Sequence, residues 1–243
     1  KISIAMEVYN GERFLEEQLD SILQQLEPQD ELVISYDNSK DRTWEIITSF
    51  SERYPQIEIY KNKTPGVTGN FNNALSLCTG DYLFICDQDD RWAENKRAAV
   101  LETFEKTGAD MVIHNGVHID SEGKVISEPF FTTYRIGDGK IRNILRSRYS
   151  GCCMAFTREM AQKILPMPPK IDAYDRWIGT IGEFLGKIAY DDRILLYHRM
   201  HGDNVTTNTR SIGVILSTRI DLVKELRKRI RRERSCLLYT SPS

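Results

Sequence analysis

No run of apolar residues in the 243-residue chain approaches the roughly 20 that a bilayer-spanning helix needs. Lys1 opens directly on a strand-like segment, without the apolar region of a signal peptide. A cytoplasmic protein is therefore expected, at most peripheral at the inner face of the cell membrane. Charge of one sign is missing too. The 33 Lys and Arg against 35 Asp and Glu give a net charge of -2, and no overall field that would attract nucleic acid or an anionic membrane. Partners must be recognised locally, and none is expected to be a nucleic acid. The five cysteines show neither paired CxxC spacing nor the density of a disulfide scaffold, which fits a reducing compartment. What the chain does have is 40% hydrophobic residues, enough to bury one substantial core.

The apolar pattern alternates between strand and helix. Ile2 to Val8 reads as a strand, Tyr9-Asn10-Gly11 breaks it, and Phe14, Leu15, Leu19, Ile22, Leu23 and Leu26 recur at helical spacing. The cycle repeats through a strand at Glu31 to Ser35, Asp41 as N-cap, a helix over Trp44 to Phe50 and a strand at Ile57 to Tyr60. A third round joins a helix ending at Leu77 to a strand at Tyr82 to Cys86, and a fourth joins Asn95–Thr107 to Met111–His114. Such alternation predicts an α/β fold with a doubly wound, mainly parallel sheet flanked by helices.

One domain is expected over residues 1–210, regular to about 117 and irregular from 118 to 210. In the second part Asp120 to Lys124 reads as a hairpin turn, Arg142 to Arg148 as a helix, and Pro166, Pro168 and Pro169 interrupt regular structure. Cys152 and Cys153 read as buried apolar residues. Residues 211–235 form a basic amphipathic helix by spacing, expected to pack on the domain, with contact to an anionic membrane surface as the second reading. Residues 236–243 break that pattern and read as a non-native tail.

Ligands of an open parallel sheet bind beyond the carboxyl ends of its strands, and acids crowd there. Asp37 follows the second strand, while Asp87, Asp89 and Asp90 follow the strand ending at Cys86. Neighbouring carboxylates repel and raise one another's pKa unless a counter-charge is present. Hard oxygen ligands of this kind suit Mg²⁺ or Mn²⁺. Alone, the tetrapeptide could equally be a solvated acidic turn before the next helix.

Three stretches give it context: Ile2 to Met6 with Tyr9-Asn10-Gly11, the turn Ile34 to Asp41, and Cys86-Asp87-Gln88-Asp89-Asp90-Arg91-Trp92. In order and spacing they resemble family 2 glycosyltransferases of the GT-A fold. Downstream, Tyr174-Asp175-Arg176-Trp177 and Tyr197 to Asn204 resemble the bacterial polysaccharide, rhamnosyltransferase-like branch. The resemblance covers about residues 1–209. It implies a nucleotide-sugar half at 1–117 and an acceptor half at 118–210, with a UDP- or dTDP-linked donor and a glycan or lipid-linked saccharide acceptor.

By the same resemblance Asp37 accepts the pyrimidine imide N–H, and Val8, Tyr9 and Asn10 line the base pocket. Asp87 contacts the donor ribose, with Gln88 in the same nucleotide-sugar site. Asp89 and His201 hold Mn²⁺ or Mg²⁺, and Asp90 supports them. Transfer to a hydroxyl requires a base, for which Asp175 is the candidate, and direct displacement with one base inverts the anomeric carbon. Two stretches depart from the family pattern: Glu7-Val8 before Tyr-Asn, and the turn Tyr36-Asp37-Asn38-Ser39-Lys40-Asp41, whose Tyr36 could stack on the base or pack on the sheet. Two other readings stay open, a sugar nucleotidyltransferase and a catalytically silent binding protein. The first usually carries a Gly-rich basic loop after its first strand, which Val8-Tyr9-Asn10-Gly11 does not supply.

Overall fold

The computed structural model describes residues 1–146, 149–171, 173–202 and 212–240, the side chains of residues 212 and 236–240 excepted. Strand β1 (Ile2–Val8) is apolar at nearly every position because both its faces are covered. Ile2, Ile4, Met6 and Val8 join the core on one side of the sheet, while Ala5 joins Phe71, Ala74 and Leu75 on the other. Helix α1 (Leu15–Leu23), β2 (Glu31–Tyr36), α2 (Thr43–Arg53), β3 (Ile57–Lys61), α3 (Val67–Leu77) and β4 (Tyr82–Cys86) follow in the expected alternation. β3, β2, β1 and β4 lie side by side in that order, all parallel.

The second part adds β5 (Arg91–Trp92), α4 (Lys96–Thr107), β6 (Met111–Ile119), α5 (Phe130–Tyr134) and α6 (Lys140–Leu145). After these come β7 (Met154–Thr157), α7 (Arg158–Ile164), α8 (Tyr174–Leu185), β8 (Ile188–Arg199) and α9 (Ile212–Thr240). Here the sheet becomes mixed. β7 wedges between β4 and β6, antiparallel to both, β8 runs parallel to β6, and β5 closes the edge antiparallel to β8. The parallel repeat expected to run directly from β4 to β6 is thus interrupted by a strand that arrives later in sequence.

Two local expectations need correction. Asp41 is not the N-cap of α2: the helix starts at Thr43 after Arg42, and Asp41 Oδ1 accepts the Thr43 N–H (3.1 Å) from one residue farther out. The helix expected over Arg142 to Arg148 lies at Lys140–Leu145, and Arg148 falls outside the described residues. The hairpin turn forms as expected, with Asp120 N–H donating to Lys124 O (2.9 Å) and Gly123 at φ 85°, where a side chain would be strained. Cys152 and Cys153 are buried free thiols. Helix α9 runs on through Thr240, across the change of pattern at Cys236. Among the described residues no helix is long and apolar enough to cross a membrane.

Candidate active site

The turns after β1 and β2 are tied to each other. Asn10 takes a left-handed backbone (φ 49°), a conformation asparagine tolerates, and so turns its amide toward the β2 turn. Its Oδ1 accepts from Lys40 N–H (2.8 Å), and its own N–H donates to Ser39 Oγ (3.0 Å). Asp37 N–H donates to Val8 O (2.9 Å), Asp37 Oδ1 accepts from Asn38 N–H (3.0 Å), and Oδ2 accepts from Gly66 N–H (3.2 Å) at the entry to α3. Tyr36 packs: its ring centroid is 4.9 Å from that of Trp44, and its hydroxyl accepts from Ser39 N–H (3.1 Å). Gln88 clasps the β1 turn, accepting from Tyr9 N–H and donating to Tyr9 O, both at 2.7 Å. Gly11 permits this approach, since a Cβ there would stand 2.5 Å from Gln88 Oε1.

Four carboxyls of the β1 and β4 ends, Glu7, Asp87, Asp89 and Asp90, meet here, with His201 and His198 paired to the last two. Burial first, then the Asp90 and Asp89 charges, push Asp87 up to about 7. Burial and the Asp87 and Asp89 charges push Glu7 up to about 8, with Asn70 Nδ2 donating to it at 3.3 Å. Asp89 is raised by burial and by Asp90, although His201 Nε2 lies 2.8 Å from its Oδ2. Asp90 behaves oppositely. Burial opposes its ionisation, but the His198 charge, the His198 Nδ1 contact (2.7 Å) and the Arg199 N–H (3.1 Å) hold its pKa below the usual range. Burial would lower His198, yet Asp90 raises it to about 9, so this pair forms an internal ion pair.

The donor set fits a hard divalent cation. Among the described residues Asp90 Oδ2 is buried without a hydrogen-bond partner, and one carboxylate oxygen each of Asp87 and Asp90 and the Cys152 Sγ lie within 4.8 Å of one another. Burial holds the Cys152 thiol well above its ordinary pKa, so oxygens rather than a thiolate are on offer. This grouping differs from the expected Asp89 and His201 pair, and it offers two carboxylates, the donors that suit Mg²⁺ or Mn²⁺, where the expected pair offers one carboxylate and an imidazole. Asp90 already spends Oδ1 on His198 and Arg199, which suits a supporting part.

Arg199 was not singled out by sequence, yet it binds this region together. Only 1% of its side chain is exposed. Nε donates to Asp89 O (3.2 Å), Nη1 to Asp120 O (3.3 Å) and Ser121 O (3.2 Å), and Nη2 to Glu17 Oε2 (2.6 Å). The guanidinium also lies 4.6 Å from the Phe14 ring centroid, and Phe14 is 5.1 Å from the His201 ring. The signal lay inside the Tyr197 to Asn204 motif, but β8, which carries Arg199, was not foreseen. Tyr174 was likewise passed over: its hydroxyl donates to Asp87 Oδ1 (3.2 Å) and its ring lies tilted against Phe71, with centroids 4.2 Å apart. That contact brings the first turn of α8 to the acids. Asp175 is the next residue, in the first turn of α8 where the helix dipole favours a carboxylate, and its Oδ1 accepts from Arg176 N–H (2.7 Å). Asp172, Asp203 and Asn204 lie outside the described residues.

Fold and site together define a GT-A-type α/β domain with an acidic centre at the carboxyl ends of its parallel strands. The chain belongs to glycosyl transferase family 2, whose model matches residues 3–165. An uncharacterized glycosyltransferase of Nostoc sp. is 30% identical over 213 residues, covering 84% of this chain and 66% of its own. A Bacillus subtilis glycosyltransferase provisionally named for teichuronic acid biosynthesis, TuaG, is 28% identical over 152 residues, covering 59% of this chain and 58% of its own. Among solved structures, S. aureus TarS in complex with UDP-GlcNAc superposes with a TM-score of 0.71 at 16% identity, over 90% of this chain and 64% of that one. The mannosyltransferase PcManGT of Pyrobaculum calidifontis in complex with GDP-Man and Mn²⁺ gives 0.64 at 19%, over 84% and 58%. At these identities the structural likeness is one of fold. The chain thus spans two thirds or less of these relatives' lengths.

Proposed function

We propose that the chain is the catalytic part of an inverting, divalent-metal-dependent glycosyltransferase. It moves a sugar from a UDP- or dTDP-linked donor to an acceptor hydroxyl on a glycan or lipid-linked saccharide, in bacterial cell-surface polysaccharide synthesis. The observation that carries this reading is the convergence of Asp87 and Asp89 at the end of β4, with His201 2.8 Å from Asp89 and the start of α8 bonded to Asp87. Family membership and the nucleotide-sugar complexes of TarS and PcManGT support it.

In this reading Asp37, fixed between the β1 turn and Gly66, offers its carboxylate to the pyrimidine imide N–H. Val8, Tyr9 and Asn10 line the base pocket, and Gln88 holds Tyr9 in place for that task. Asp87 meets the ribose. Asp89 and His201 hold Mg²⁺ or Mn²⁺, which when bound supplies the counter-charge for a leaving diphosphate. Asp90, neutralised by His198, supports the Asp89 loop. Asp175 accepts the proton of the attacking hydroxyl, and a single base with no nucleophilic carboxylate gives inversion. The chain works in the cytoplasm, in peripheral contact with the inner membrane face through its basic helix.

Incubation with radiolabelled UDP- and dTDP-sugars, Mn²⁺ and saccharide acceptors tests the reading. Label transferred to an acceptor supports it. Pyrophosphate exchange would assign a nucleotidyltransferase, and neither reaction across the donor panel would assign a silent binding protein.

A further inference from the structure

Helix α9 behaves differently along its length. From Leu222 on it is packed: Leu222 and Leu226 are buried, and Arg229 donates to Leu165 O (2.9 Å) and Pro166 O (2.7 Å) with its guanidinium 5.4 Å from the Trp177 ring. The preceding turns are uncovered, with Leu216 62% and Ile220 46% exposed. Helix α6 lies beside them, joined where Arg219 Nε donates to Leu145 O (3.1 Å). Its Ile141 and Leu145 are 77% and 66% exposed. Each pair is spaced four residues apart and so shares one helix face. Aliphatic side chains grouped on adjoining helices, rather than scattered singly, mark an interaction surface.

Basic residues continue the α9 stripe and flank the α6 one. Extending the Leu216 and Ile220 stripe at helical spacing gives Lys224, Arg227, Arg231 and Arg234, all exposed, while Asp221, Glu225 and Glu233 fall on other faces. α6 and its C-cap add exposed Lys140, Arg142 and Arg146, with Arg142 also donating to Gly137 O (2.8 Å) and Asp138 O (2.7 Å); exposed Asp138 is the last acid before Glu159 in sequence. Grouped aliphatics flanked by basic residues suit the interface of an anionic bilayer, where the apolar chains enter the acyl boundary and the cations meet lipid phosphates.

We propose that α6 and the outer stripe of α9 together form a docking surface for an anionic lipid bilayer. This enlarges the contact from one basic helix to a two-helix face and names its apolar anchors. Asn143 Nδ2 of α6 donates to Glu183 Oε1 of α8 at 2.5 Å. Glu183 lies eight residues along that helix from Asp175, about 12 Å by helical rise. Docking therefore sets the helix carrying Asp175 beside the bilayer, which suits a lipid-linked acceptor. Only this last step rests on the sugar-transfer reading.

The test is co-sedimentation of the full chain with vesicles of phosphatidylcholine alone or mixed with phosphatidylglycerol, alongside circular dichroism and light scattering. Binding to the mixed vesicles only, weakened by salt, is expected. Ile141→Ser/Leu145→Ser and Leu216→Ser/Ile220→Ser should each reduce it at least tenfold with melting unchanged. Lys224→Glu with Arg227→Glu should reduce it roughly fivefold per charge. Equal binding to both vesicle types, or undiminished binding by the paired serine variants, overturns the proposal. So does a concentration-dependent dimer that Leu216→Ser/Ile220→Ser abolishes, which would assign the face to a second copy. Transfer to a water-soluble acceptor, measured in parallel, separates lost docking from failure of the sugar-transfer reading.

Discussion

The two parts of the sheet contribute in different ways. β3, β2, β1 and β4 all run one way, so their carboxyl ends pool acids on short turns: Asp37 after β2, and Asp87 and Asp89 after β4. β7, β6, β8 and β5 mix directions, with β6 and β8 parallel and β7 and β5 opposed to them, and what they bring to the site comes from strand and helix residues. His198 and Arg199 sit at the end of β8, and Tyr174 and Asp175 open α8. The parallel part gathers negative charge; the mixed part supplies the counter-charge, the tethers and the candidate base. Replacing residues in each part should therefore produce different signatures.

Asp175→Asn makes the sharpest separation. It keeps size and hydrogen bonding but cannot accept a proton, so kcat should fall roughly 10² to 10⁴-fold in single-turnover transfer assays. Donor affinity should be nearly unchanged. Near-normal turnover would remove Asp175 as the base.

Arg199→Met tests the tethers. The carbonyls of Asp89, Asp120 and Ser121 lose a charged donor, whereas half-exposed Glu17 can rehydrate, so a cost of about 3 kcal/mol in urea unfolding is expected. Donor affinity should fall as well, because the Asp89 loop loosens. Arg199→Lys should recover part of both effects, and a stability loss with normal donor affinity would make Arg199 purely structural.

Asp37→Asn belongs to the parallel part and should invert the Asp175 pattern. Nucleotide binding measured calorimetrically should weaken by about 1 to 3 kcal/mol if a buried imide N–H loses its acceptor. The chemical step at saturating donor should change less. Unchanged affinity would remove Asp37 from the base pocket.

The same contrast explains what could be read from sequence. β1 to β4 and α1 to α4 were legible because each is a local apolar period bounded by a turn, and the acids stand directly after the strands. Asp89 beside His201 followed from a family motif, and the structure brings the two together. β7 was missed because four residues after two cysteines carry no period, and its place between β4 and β6 is a nonlocal choice. β8 was missed because its polar residues and its irregular register against β6 mask alternation. The Arg199 to Glu17 bond spans 182 residues, and buried Lys96 donates to Cys152 O (2.8 Å) from 56 residues away. Neither leaves a local trace.

The central claim is that the acids after β4 form a cation-dependent site for a nucleoside diphosphate. Thermal unfolding with UDP or dTDP, in Mn²⁺ or Mg²⁺ and again in excess EDTA, tests it most directly. At about 100 times its Kd the nucleotide should add about 2.7 kcal/mol of stability with the cation present and almost none without it. Asp89→Ala should abolish that gain while melting normally on its own, since a loop carboxylate adds little to the core. Equal stabilisation by the nucleotide in EDTA, or an undiminished gain in Asp89→Ala, would contradict the account.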